Sequence, residues 1–166
     1  MNDNLEQLSS GITKAIHGIS AENLSPHPEG KWGAAQILEH LNLTYIGTAK
    51  NLERCVASGQ ALASSDRGSK RLQRFVVTRL HWMPGGRKSP ERALPRGMPP
   101  EQVKVEILQN LARMQKAIAD CEARFGSNKP IADHPVLGPL TASEWRGFHL
   151  THGRHHLKQI LRLRKD

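Results

Sequence analysis

The chain has 166 residues, enough for one domain with its own core, and residues 1–166 are taken as a single unit. Apolar residues make up 37 % of it, and no run approaches the ~18 apolar residues of a membrane span, so a membrane-spanning helix is excluded. The formal charge of +9 is unevenly placed: between Arg67 and Met98 nine Lys or Arg face one acid, Glu91.

In chain order, Leu5, Leu8, Ile12, Ile16 and Ile19 recur at helical spacing and predict a first amphipathic helix over about 2–19. No basic start followed by an apolar core precedes them, so no secretory signal is expected, and a cytoplasmic protein follows by elimination. The stretch SAENLSPHPEGK is a turn-rich connector. A second helix starts near Trp32 or Gly33, with Leu38, Leu41, Tyr45, Ala49, Leu52 and Val56 as its apolar stripe. Residues 60–98 are polar, basic and rich in Gly and Pro, and one short helix is expected there, over about 68–82. The third helix opens at Pro100, carries Ile107, Leu111, Met114, Ile118, Cys121 and Phe125 on one face, and stops at Gly126. After a connector with three prolines, Thr141 and Glu144 fit a capping box that opens a fourth helix, running to Arg162 or Leu163. Four amphipathic helices with no strand-period segment predict an all-α fold, a four-helix bundle with a basic insertion between helices two and three. The two cysteines, Cys55 and Cys121, form no metal or redox motif and read as small buried residues.

The stretch HLTHGRHHLKQ, residues 149–159, holds four of the nine histidines. A tag, a metal site and a polar helix face would each account for it. At about 100° per residue, His152 and His156 fall on the same stripe as Trp145, Phe148, Ile160 and Leu163. His149 lies at its edge and His155 is turned toward the flank. A pair of histidines four residues apart stacks two imidazoles one turn from each other, which lets both reach one ion. That spacing also arises by chance in any His-rich helix. Burial strengthens it, since two imidazoles in an apolar seam need partners or a cation. On the second helix His40 borders the apolar stripe, one turn from Gln36 and Thr44, and is the candidate third ligand. Taken alone, His40 also reads as an ordinary hydrogen-bonded histidine between helices.

Trp32, the EHL of residues 39–41 and the HxxHHxxQ of residues 152–159 resemble the DinB-like superfamily of metal-dependent enzymes. HPVLGPLTASEW resembles an uncharacterised branch of it. The resemblance covers the second and fourth helices and the connector before the fourth. It implies an up-down-down-up bundle, often a homodimer, with a divalent zinc or nickel ion on His40, His152 and His156. Gln159, which matches the motif's glutamine, and Gln36 are then candidates to brace those ligands. Relatives of this kind imply a thiol-dependent transferase or isomerase working with a low-molecular-weight thiol, or a hydrolase. The basic segment has no counterpart in that pattern.

Three neutral imidazoles leave a zinc-like ion one open position, where a bound water or thiol loses its proton near neutral pH. His149 or Glu39 is a candidate proton shuttle. Arg79, Arg87 and Lys88 are candidate contacts for an anionic substrate. Two rival readings remain at this point. The basic segment, with Phe75 and Trp82 as stacking groups, would suit a module that binds nucleic acid or another anionic partner, although two aromatics among nine basic residues form no known motif. A non-catalytic bundle with a structural or vestigial metal site is the other.

Overall fold

A computed structural model describes residues 3–65, 68–85 and 88–164. In chain order it contains α1 (Asp3–Ile16), α2 (Ala21–Leu24), α3 (Ala34–Ser58), α4 (Arg71–Thr78), a one-turn 3-10 helix (Glu91–Ala93), α5 (Pro100–Phe125), β1 (Ala132–His134), β2 (Gly138–Leu140) and α6 (Ala142–Leu163). The molecule is mostly helical. None of the described helices is long and apolar enough to cross a membrane.

The four long helices share one apolar core. Leu8 and Ile12 of α1, Leu38, Leu41 and Leu52 of α3, Ile107, Leu111 and Ile118 of α5, and Trp145 and Ile160 of α6 all enter it. The pairing of α3 with α5 is the most extensive, and α1 lies along α6. The two cysteines are free and buried, and burial pushes the Cys121 thiol up to about 12. They therefore pack as small apolar groups.

Helix ends follow local chemistry. Gly59 ends α3 in the left-handed region at φ 71°, its amide returning to the Val56 carbonyl at 3.1 Å. The Thr141 hydroxyl accepts from the Glu144 amide at 3.3 Å, and the Glu144 carboxylate accepts from the Thr141 amide at 2.8 Å. This capping box starts α6 and so sets which residues of that helix face inward.

Three features depart from the sequence expectations. The first predicted helix ends at Ile16, and a separate turn of helix follows at α2. The connector before α6 is an antiparallel hairpin, with Ala132 opposite Leu140 and His134 opposite Gly138. Its strands are three residues each, too short for an alternating pattern to show in the sequence. The basic segment holds the expected short helix, but only over α4, and a one-turn 3-10 helix follows it in the stretch expected to be loop. In α4 the charged Arg74 faces inward, 3.1 Å from the Leu137 carbonyl and 3.5 Å from Glu144, while Leu72 and Phe75 face out. His81, just beyond it, is tied to α6. The Thr151 hydroxyl donates to the Val77 carbonyl at 2.7 Å and accepts from His81 Nδ1 at 2.9 Å.

Close approach of α4 to α6 depends on Gly147. A Cβ there would run into the Thr78 carbonyl, a backbone atom that cannot turn aside. Gly147→Ala is therefore expected to cost about 1–3 kcal/mol through overpacking. Chemical denaturation checks this, and a midpoint equal to wild type would refute it.

Candidate metal centre

His40 sits in the second turn of α3, and His152 and His156 lie one turn apart on α6. The packing of α6 against α3 brings all three into one place. Their Nε2 atoms converge: His40 to His152 at 3.0 Å, and His156 to His152 at 3.1 Å. All three are buried, at 2 %, 8 % and 9 % exposure. They form a group whose ligand atoms could hold one metal ion.

The protons can be assigned from the outer partners. His40 Nδ1 lies 2.7 Å from the Ala93 carbonyl, which can only accept, so Nδ1 carries the hydrogen. His156 Nδ1 donates to Gln159 Oε1 at 2.7 Å. In the neutral rings both Nε2 atoms are then lone pairs aimed at His152 Nε2, which has at most one proton to give. One lone-pair contact is left over in any neutral arrangement. A cation among the three nitrogens satisfies all of them.

All three ligand atoms lie within 4.8 Å of one another. Two nitrogens each ~2.0–2.1 Å from a tetrahedral metal lie about 3.3–3.4 Å apart, so the His40–His152 and His156–His152 pairs need to part by only a few tenths of an ångström. His152 Nδ1 has no hydrogen-bond partner among the described residues, and its ring stacks on Phe148 with centroids 5.3 Å apart. Trp32 packs against His40 at 5.1 Å. Burial lowers the pKa of all three histidines, that of His156 to about 4, so each is held as the neutral ligand form.

The remaining sequence candidates fall in different places. Gln159 braces His156 and also donates to His155 Nε2 at 3.2 Å. His155, expected to be the outlier of the cluster, thus touches the residue that orients a ligand. Gln36 does not brace the centre. Its side-chain oxygen accepts from the Gly33 amide at 2.9 Å and caps the start of α3, a job created by the orphan amides of the first turn. Glu39 is not a free base either. Its carboxylate accepts from the Arg96, Gly97 and Met98 amides at 2.7, 3.1 and 3.0 Å, since as a helix neighbour of His40 it points elsewhere. His149 is completely buried, with Nε2 3.1 Å from the Thr48 hydroxyl and Nδ1 without a hydrogen-bond partner among the described residues. Burial lowers its pKa to about 3, which ill suits it to shuttle protons near neutral pH.

A cavity of about 1080 Å³ opens over the triad, lined by all three imidazoles, Trp32, Thr48, Phe148 and His134. Lys88 lines it as well. Arg79 does not, because it ends α4 beside a smaller recess formed with Arg71, Phe75 and Glu144. Arg87 lies outside the described residues. His134 Nδ1 accepts from the Val136 and Leu137 amides, both at 3.1 Å, which closes the hairpin and presents the ring to the cavity. Burial, aided by the charges of Arg92 and Lys70, lowers its pKa to about 3.

Sequence reasoning missed the Ala93 carbonyl, which fixes the His40 tautomer, and the cavity-lining Arg92 and Arg96 that flank it. A backbone carbonyl contributed from 53 residues away leaves no mark in the sequence. No curated protein and no solved structure matches the chain. A family model described as a protein of unknown function, DUF1569, matches residues 5–162. With nearly the whole length covered, the chain belongs to the DUF1569 family.

Proposed function

We propose that this protein is a metal-dependent enzyme, a thiol-dependent transferase or a hydrolase, with zinc or nickel on His40, His152 and His156. The observation that carries this reading is the convergence of three buried imidazoles beside a large cavity, with His152 Nε2 3.0 and 3.1 Å from the Nε2 atoms of His40 and His156. When bound, such an ion supplies Lewis acidity and an open position at neutral pH. The protein's own part is to orient and to exclude water. The Ala93 carbonyl and Gln159 hold the Nδ1 protons of His40 and His156, and Phe148 and Trp32 cover the ring faces.

The DinB-like resemblance supports the same reading, including an up-down-down-up arrangement of α1, α3, α5 and α6, a low-molecular-weight thiol as co-substrate and a homodimer. Metal analysis of tag-free protein tests it. About one equivalent of zinc or nickel per chain is expected for a three-histidine site. Protein that takes up neither ion when supplied overturns the reading.

A second reading has one observation behind it. Phe75 and Trp82 are 51 % and 60 % exposed, beside the exposed Arg71 and Arg79. Exposed aromatics among cations suit an unpaired nucleic-acid strand. On that reading a single-stranded oligonucleotide binds, and weakens steeply as salt rises. Absence of binding even at low salt removes it.

A further inference from the structure

Six Lys or Arg residues line the cavity over the triad: Lys31, Lys50, Lys88, Arg92, Arg96 and Arg162. One carboxylate, Asp133, lines it with them, and its Oδ1 already accepts from the Ser64 amide at 2.9 Å. None of the six cations has an ion-pair partner among the described residues. Much of the remaining wall is apolar, including Trp32, Met83 and Phe148. Unpaired cations around a concave, partly apolar wall focus a positive potential there, which a flat solvated surface does not do.

Two of these cations are also placed by the metal centre. Arg92 precedes Ala93, whose carbonyl holds the His40 ring, and Arg96 follows three residues later, where its amide binds the Glu39 carboxylate. The segment between them is thus tied to α3 at both ends, through residues adjacent in the chain. Its backbone is set before any ligand arrives, which lowers the entropic cost of binding. The charge of Arg92 is also felt across the cavity at His134.

We infer that this cavity takes a small molecule bearing an anionic group on an apolar body, with Arg92 and Arg96 receiving the anion. Guanidinium groups suit this role because they can pair with a carboxylate or phosphate oxygen by oxygen. The cavity is close to the ~300–1,000 Å³ of small-molecule sites, so the ligand is a compact molecule rather than a polymer. The inference rests on reading the cavity as the substrate site of the proposed enzyme. It does not require the ion to be present.

The test uses a matched pair of probes of nearly equal shape, phenylacetate and phenylacetamide. Each is titrated into zinc-loaded and chelator-stripped protein and followed by amide and indole NMR shifts, with Trp32 locating the site. Phenylacetate is expected to bind at least ~10-fold more tightly than phenylacetamide in both forms, as a charge-assisted contact predicts. Raising salt from about 20 to about 500 mM should erode that preference, while leaving phenylacetamide unchanged. The double variant Arg92→Gln/Arg96→Gln should abolish most of it and keep its metal content. Equal affinities in the stripped protein, binding of neither probe, or an undiminished preference in the double variant overturns the inference. The salt series on wild type decides the matter should the variant not fold. A failure of metal uptake alone would sink the proposed enzyme but leave the preference in stripped protein intact.

Discussion

Replacing His152 with alanine is expected to abolish metal uptake at the proposed centre while leaving the helices formed. His152 is the middle one of the three candidate ligands, with its Nε2 within 3.1 Å of both other nitrogens. His40 and His156 alone offer two ligands, too few for the three or four protein donors of zinc sites. Loss of an outer partner commonly weakens a metal site by about 10–100-fold, so loss of the central ligand should exceed ~100-fold. The helix should survive, because its start is held by the Thr141–Glu144 box and its core contacts by Trp145 and Ile160. The variant even relieves the leftover lone-pair contact of the metal-free triad, which offsets part of the cost of a small cavity. Elemental analysis beside far-UV circular dichroism separates the two effects. Full retention of metal by a folded variant would sink the three-histidine assignment.

The second large effect is expected at Glu39, and it falls on stability. Its buried carboxylate takes three backbone amides from residues 96–98. In Glu39→Gln an amide group replaces one acceptor oxygen and faces donors with a donor. Hydrogen bonds to charged groups contribute about 1.5–3 kcal/mol each, and buried donors left unpaired add a penalty, so a loss of roughly 3 kcal/mol or more is expected. For a domain of this size that lowers Tm by roughly 6–12 °C. Metal affinity should fall too, because the freed segment includes the carbonyl that orients His40. A catalytic shuttle would behave otherwise, losing turnover with Tm and metal content unchanged. Calorimetry and metal titration of the one variant therefore tell the two roles apart.

These two residues show how far the sequence could be read. His152 lies on the apolar stripe of a strongly patterned helix, and helical periodicity is a local property that survives in the sequence. The same holds for the four long helices, the capping box of α6 and the placing of His156 rather than His155 beside His152. Glu39, a candidate proton shuttle in the sequence, is instead taken up by three backbone amides. On a helix the next residue is rotated by about 100°, so Glu39 faces the 96–98 segment. Gln36 failed in the same way, since nothing local distinguishes a capping glutamine from a bracing one when the start of the helix is uncertain.

The sequence by itself determined the helical class, the inward pair on the last helix and a positive charge gathered in one segment, all of which depend on neighbours within a few residues. Only the tertiary structure decided that His40 completes the triad, that Ala93 sets its tautomer, and that Arg92 and Arg96 rather than Arg79 border the cavity. It also decided how the short helix of the basic segment faces, with Arg74 inward and Leu72 outward. The physical reason is common to all of these. Each depends on a contact between groups tens of residues apart, and such a contact exists only once the core has packed and set the distance.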